Sequence, residues 1–184
     1  MSGMWGNKIK ISIFGESHGN AIGINIDGLE PGFEINLDKV SSEMKRRAPG
    51  RNNLSTPRKE ADEPEILSGF FQGKTTGTPL CAIIRNNNTK SKDYGKLKDI
   101  MWPGHADYTG KIRYNGFNDY RGGGHFSGRL TVALVAVGVI AKKIIQPTSI
   151  KAEILEVGGS TDISETIEKA MKEKDSVGGI IQCV

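Results

Sequence analysis

Residues 127–145, SGRLTVALVAVGVIAKKII, are apolar on almost every side of a helix. Such a helix offers no polar face to water, so it must be buried. It is too short for a membrane span and is sharply bounded by Arg129 at one end and Lys142 and Lys143 at the other. The rest of the chain therefore has to cover it.

Flanking segments supply candidates. KIKISIFGES (8–17) alternates and breaks at Gly15, and AIGINIDGL (21–29) follows it. Together they predict an antiparallel hairpin whose connection carries GESHG. Asn36 is placed to cap a short helix with Leu37, Val40 and Met44 on its inner face, ended by Pro49-Gly50. Residues 51–65 read as a polar loop. EILSGFFQGKTTGTPLCAIIR then predicts two strands around a turn at Gly73. From Asn86 to Gly124 the chain reads mostly as loop, far beyond the ~12–15 residues that pass without a functional reason. Past the apolar helix come a strand in IKAEILEVGG, an amphipathic helix over 162–176 and a strand over 177–184. Ile163, Ile167, Ala170 and Met171 share one face of that helix. Hairpin sheets and separate helical blocks predict an α+β fold.

The 24 glycines among 184 residues exceed the ~7% of ordinary usage. Many stand in polar clusters, where a missing Cβ permits close approach to a ligand. Cys81 and Cys183 lie in apolar, strand-like surroundings and are expected to be buried, reduced thiols. The N-terminus lacks the pattern of a signal peptide, so the expected location is the cytoplasm, without membrane attachment. A net charge of +4 suits an anionic small molecule as well as nucleic acid and decides nothing.

The chemistry concentrates in two places. FGESHG sets His18 and Ser17 between glycines in a strand connection, beside Glu16. That arrangement reads either as a ring open to a ligand or as a solvated turn histidine. GHADYTGKIRYNGFNDYRGGGHFSGR (104–129) holds His105, two residues from Asp107, and His125. A carboxylate at that spacing can fix one tautomer of the His105 ring. The Gly122-Gly123-Gly124 run opens the apolar helix. Helix N-termini attract anions, and Ser127, Arg121 and Arg129 add a cap and charge. The spacing matches neither a Walker loop nor GxGxxG, and an ordinary flexible turn with an N-cap accounts for it too. Arg46, Arg47 and Arg51 cluster at a helix end, where they either complement the dipole or grip a carboxylate or phosphate. His18, His105 and His125 lack the spacing of a zinc site, so no metal is expected.

Six motifs in order, FGESHGNAIGINIDGLEPG, RRAPG, LSGFFQGKTTGTP, SKDYGKLKD, PGHADYTGKIRYN and DYRGGGHFSGRLT, resemble the chorismate synthase family, from Gly6 to DSVGG. The resemblance implies a β-α-β sandwich of antiparallel sheets around buried helices. It implies a lyase that removes phosphate and a proton from 5-enolpyruvylshikimate 3-phosphate, giving chorismate, with reduced FMN as cofactor and NADPH as a candidate reductant. Carried over by motif, His18 protonates the leaving phosphate and His105 tunes the protonation of the flavin. Arg47 and Arg51 hold substrate anions, although the family's second arginine aligns nearer Asn53. Ser17 and Arg129 complete that cradle, and His125, Phe126 and Ser127 fall at the flavin phosphate.

Where family members read GGGRSSAR, this chain has GGGHFSGR, so His125 and Phe126 replace Arg and Ser. Family members are also longer. Residues 1–184 are therefore expected to be the N-terminal part of one domain, homotetrameric when full length. Two rivals accompany this expectation: an inactive or binding-only remnant, and a basic RNA-binding module. The small net charge and the lack of a stacking pattern speak against nucleic acid.

Overall fold

The computed structural model describes residues 3–48, 62–87 and 98–184. The chain divides into two units, residues 1–48 with 59–140, and residues 49–58 with 141–184.

Period-2 alternation builds the larger unit. β1 (Met4–Trp5), β2 (Lys10–Gly15), β3 (Ala21–Asp27), β4 (Pro64–Ser68) and β7 (Leu80–Arg85) form one antiparallel sheet in the order β1-β2-β3-β7-β4. In register, Ile22 faces Ile84, Ile24 faces Ala82 and Ile26 faces Leu80. All six are buried, so one face of the sheet forms a continuous apolar surface. Each buried isoleucine contributes about 1.5–3 kcal/mol relative to exposure. On the other face the Phe14 ring lies across Gly23, where an added Cβ would fall 2.0 Å from Cζ. The expected 8–29 hairpin is present. The expected two strands over 65–85 are also present, with the short pair β5 (Phe70–Phe71) and β6 (Lys74–Thr75) turning at Gln72-Gly73 between them.

α1 (Leu37–Arg47) starts where Asn36 Oδ1 accepts from the Lys39 N–H at 2.9 Å. Val40 and Met44 are buried, but Leu37 is 45% exposed, because the first turn projects it away from the core. The helix ends at Arg47 with Ala48 as its cap; the expected Pro49-Gly50 stop and most of the expected polar loop lie outside the described residues, and the last two loop positions, Pro64 and Glu65, instead open β4.

The apolar segment forms α3 (Thr131–Ile144) after a short 3-10 turn over Gly128–Leu130. Val132, Ala133, Ala136, Val137 and Ile140 join the sheet isoleucines, Val40 and Met44 in one core. The helix is not covered all round: Leu134 is exposed, so burial follows one stripe. The stretch 86–124 holds more structure than expected, with α2 (Asp107–Arg113) and a 3-10 segment over Arg121–Phe126. Gly110, inside α2, hid this helix from sequence reading. Its place is explained by contact, since a Cβ there would meet Phe126 Cε2 at 2.6 Å.

In the smaller unit β8 (Ala152–Val157) pairs antiparallel with β9 (Gly179–Cys183). α4 (Ile163–Glu173) is capped by Asp162, whose carboxylate accepts from the Glu165 N–H. Ala170 is buried, whereas Met171, expected on the inner face, is exposed. Both cysteines are free thiols, but neither is fully buried. Cys81 is half-buried on the sheet face opposite Ala82, and Cys183 is exposed. Among the described residues, no helix is long and apolar enough to cross a membrane.

Candidate functional site

Four contacts bind the GESHG turn to the rest of the larger unit. The Ser17 N–H donates to the Gly124 carbonyl at 3.0 Å, and His125 Nδ1 donates to the Gly15 carbonyl at 2.9 Å. From the end of β7, Asn86 Nδ2 donates to the carbonyls of Glu16 and Gly19, at 3.1 and 2.9 Å. The turn is thereby clamped from two sides. His18 is only 4% exposed, so the ring is buried in the turn rather than open to solvent. Its Nδ1 lies 2.9 Å from the Ser17 hydroxyl.

The glycine run brings two distant histidines against adjacent residues. Gly122, Gly123 and Gly124 have φ of 55, 81 and 52°, values that L side chains rarely adopt. A Cβ on Gly122 would fall 2.3 Å from His18 Cε1, and one on Gly123 would fall 2.7 Å from His105 Cε1. Both rings therefore press directly on this bare backbone. The fold thus brings the two motif stretches together, with the glycines packed against both imidazoles.

His105 is oriented from its other side. Its Nδ1 is 2.5 Å from Asp107 Oδ1, while Asp107 Oδ2 accepts from the Trp102 N–H at 3.2 Å. Asp107 also opens α2, where a carboxylate complements the helix dipole. His105 looks into a cleft of about 260 Å³ whose walls include Lys98, Met101, Trp102, Tyr120 and Gly123. Lys111, Asp99 and Asp107 also line it, so the cleft combines aromatic and apolar walls with balanced charge and suits a flat ligand with polar edges.

His125 and Phe126 line a second cavity, of about 540 Å³, with Phe14, Phe117 and Asp119. The Phe126 ring packs on Gly110 and, at 6.2 Å between centroids, on Tyr114. Ser127 acts as the expected cap, its hydroxyl accepting from the Arg129 N–H at 3.3 Å.

The arginines are organised by carboxylates that sequence reading did not single out. Asp62 has no exposed side-chain surface, and both its oxygens are used. Oδ2 accepts from Arg47 Nη1 at 3.0 Å, and Oδ1 accepts from Arg129 Nη1. Arg129 Nε also donates to Asn86 Oδ1 at 3.3 Å, linking this pair to the His18 turn. Arg121, expected to add charge for an anion, is instead gripped by Asp119 through Nε and Nη2, at 2.9 and 2.7 Å. Burial opposes the Asp119 charge, but the Arg121 hydrogen bonds outweigh it and hold the carboxyl below its ordinary pKa, with His18 adding to the effect. The Asp119 contact in turn raises the Arg121 pKa. Arg46 is exposed and pairs with Glu43 on its own helix. Arg51 lies outside the described residues. No group of three or more metal-ligating side chains occurs among the described residues.

Asp62 and Asn86 carried no sequence signal. One acid in KEADEPE looks like its neighbours, and only the fold brings it between two arginines that lie 15 and 67 residues from it.

Known proteins resemble this chain over almost its whole length. Residues 9–184 match the family model described as chorismate synthase. The chorismate synthase of Chitinophaga pinensis is 50% identical over 181 residues, covering 98% of this chain and 54% of that protein. That of Thermococcus kodakarensis is 42% identical over 206 residues, covering 98% and 58%. A crystal structure of chorismate synthase superposes with a TM-score of 0.68 at 22% identity, over 96% of this chain and 57% of that one, and shows that the fold is shared. The chain thus spans about half the length of the curated relatives it matches. With the family model matched from the second strand to the last residue, the chain belongs to the chorismate synthase family.

Proposed function

We propose that the site catalyses the family's reaction, the elimination of phosphate and a proton from 5-enolpyruvylshikimate 3-phosphate to give chorismate. The observation that carries this reading is the convergence of His18 and His105 on the Gly122-Gly123 backbone. In the reaction a C–O bond to phosphate breaks, a C–H proton is lost, and a second ring double bond forms. His18, when protonated, delivers a proton to the departing phosphate, so that it leaves as a weaker base. The Ser17 hydroxyl against Nδ1 orients the ring for transfer from Nε2. Burial of the ring excludes water from the transfer.

Arg47 and Arg129 hold substrate anions in this reading, with Arg51 and Ser17 assigned to the same cradle by motif. The cofactor is reduced FMN. The cleft beside His105 fits such a group, because Trp102, Tyr120 and Met101 offer apolar walls and Lys98 offers positive charge, while Lys111 is paired with Asp99. When bound, reduced flavin supplies electron density that assists C–O cleavage and then recovers it. His105, fixed by Asp107, holds or gives up a proton at Nε2 on that side of the site. His125, Phe126 and Ser127 are assigned to the flavin by motif alone. The homotetrameric assembly, the cytoplasmic location and NADPH as reductant rest on the family in the same way.

The test is an anaerobic incubation with photoreduced FMN and 5-enolpyruvylshikimate 3-phosphate, following chorismate absorbance and phosphate release. Equal release of both products supports the reading. Binding of flavin and substrate without product would replace it with a binding-only role, and failure to bind either would overturn it.

A further inference from the structure

Asp62 poses a problem of charge. A site meant to attract an anion has a carboxylate buried between two of its guanidiniums. With Arg47 and Arg129 each contributing one positive charge and Asp62 one negative, the trio keeps a net charge of +1. Asp62 therefore weakens the field that would draw a phosphate in. Burying a carboxylate is itself unfavourable unless its partners are close and well aligned.

The backbone adds to the cost. Asp62 has φ of +51°, in the left-handed region that non-glycine residues rarely occupy. Strain of this kind persists only where the surroundings over-determine it. Exposed acids stand close by at Glu63 and Glu65, so a counter-charge alone did not require this residue in this conformation.

What Asp62 supplies is orientation. Each carboxylate oxygen takes one guanidinium, so the two arginine planes are fixed with respect to each other. The far sides of both are tied as well. Arg47 Nη2 donates to the Gly128 carbonyl and the Thr131 hydroxyl, each at 3.4 Å, at the start of the apolar helix. Arg129 Nε donates to Asn86, whose amide holds the carbonyls on either side of Ser17 and His18. A continuous polar chain thus runs from Asp62 through Arg129 and Asn86 to the His18 turn.

We propose that Asp62 is a positioning residue of the phosphoanion site, fixing Arg47 and Arg129 in one geometry relative to His18 at the expense of net positive charge. The proposal rests on the anion-binding reading of those arginines given above. Its consequence runs against simple electrostatics. Asp62→Asn raises the local charge by one unit, keeps the size of the side chain and tolerates a left-handed backbone. It nevertheless weakens anion binding, because the two guanidiniums lose their common acceptor.

The experiment measures binding of inorganic phosphate and of 5-enolpyruvylshikimate 3-phosphate by calorimetry, with side-chain 15N spectra of the arginines. The native protein is expected to show slow rotation of the Arg47 and Arg129 guanidiniums. Asp62→Asn should speed that rotation and weaken binding of both probes about tenfold or more. Asp62→Glu, which keeps the charge but shifts the carboxylate by one methylene, should weaken binding too and serves if the Asn variant does not fold. Unchanged or tighter binding in these variants overturns the proposal and leaves Asp62 a counter-ion. Fast rotation of both guanidiniums in the native protein overturns it without any variant. Arg47→Lys and Arg129→Lys separate the two levels. If neither changes phosphate binding, the anion-site reading falls and the proposal falls with it. If both weaken binding while the Asp62 variants do not, only the positioning role falls.

Discussion

Gly122 lies so close to His18 that a methyl group on it would stand 2.3 Å from Cε1 and 2.4 Å from Nδ1 of the ring. The contact is with a buried ring already tied to Ser17, so the ring has little freedom to give way. The same residue needs φ of +55°. Gly122→Ala is therefore expected to lose about 1–2 kcal/mol to the backbone and about 1–3 kcal/mol to overlap. Gly128 is the matched control, because nothing lies within 4 Å of its added Cβ and its φ is ordinary. Thermal melts should separate the pair by roughly 5–15 °C. Equal melting temperatures would remove the steric role of the glycine run.

His18→Ala removes the proposed proton donor but leaves the Asp107-fixed His105 cleft in place. Turnover should fall about 10²–10⁴-fold, while FMN binding stays near the native value. Retained turnover would show that another group protonates the leaving phosphate. Loss of flavin binding together with turnover would point to collapse of the turn.

Several of these features are legible in the sequence, for identifiable reasons. Alternation in KIKISIF and AIGINI sets which face of β2 and β3 is buried, and that pairing follows directly. Asn36 is a cap because its side chain competes for a free N–H. The glycine run was legible as unusual backbone, but its use was not. It makes room for two imidazoles, and no local pattern carries a contact between residues 18 and 122. α2 escaped notice because DYTGKIR is short and has a glycine at its centre. Asp62 escaped for a deeper reason. Its role exists only once α1, the loop before β4 and the start of α3 are brought together, and nothing within a few residues of it encodes that meeting.

Asp107 joins two parts of the cleft, accepting from His105 Nδ1 through one oxygen and from the Trp102 N–H through the other. Asp107→Asn keeps the shape and one amide oxygen, so a bond to Trp102 can persist. The charged acceptor for His105 is lost. Both side chains are partly exposed, so the stability cost is small, about 1 kcal/mol. The sharper readout is the imidazole itself. The native protein is expected to show a slowly exchanging Nδ1 proton that vanishes from the NMR spectrum of the variant, with turnover reduced about tenfold. An unchanged imidazole spectrum would mean that the fold, not Asp107, holds the ring.

Asp119 offers a prediction whose sign follows from linkage. Its carboxyl titrates below the ordinary value of 3.8 in the folded protein, because the Arg121 hydrogen bonds outweigh the burial that opposes its charge. A group with a depressed folded pKa contributes stability above its unfolded pKa and loses it as pH falls through the folded one. Urea midpoints should therefore be steady near neutrality and drop as pH is lowered below about 3.8. Asp119→Asn should be less stable at pH 7, by about 1 kcal/mol given the partial exposure of Arg121. The variant should also lose part of the acid-side slope, so the gap between the two proteins narrows as the medium becomes more acidic. A gap that stays constant from pH 7 to pH 3 would mean that the ion pair contributes nothing that protonation can remove. Asp119 would then matter only for its shape against Arg121.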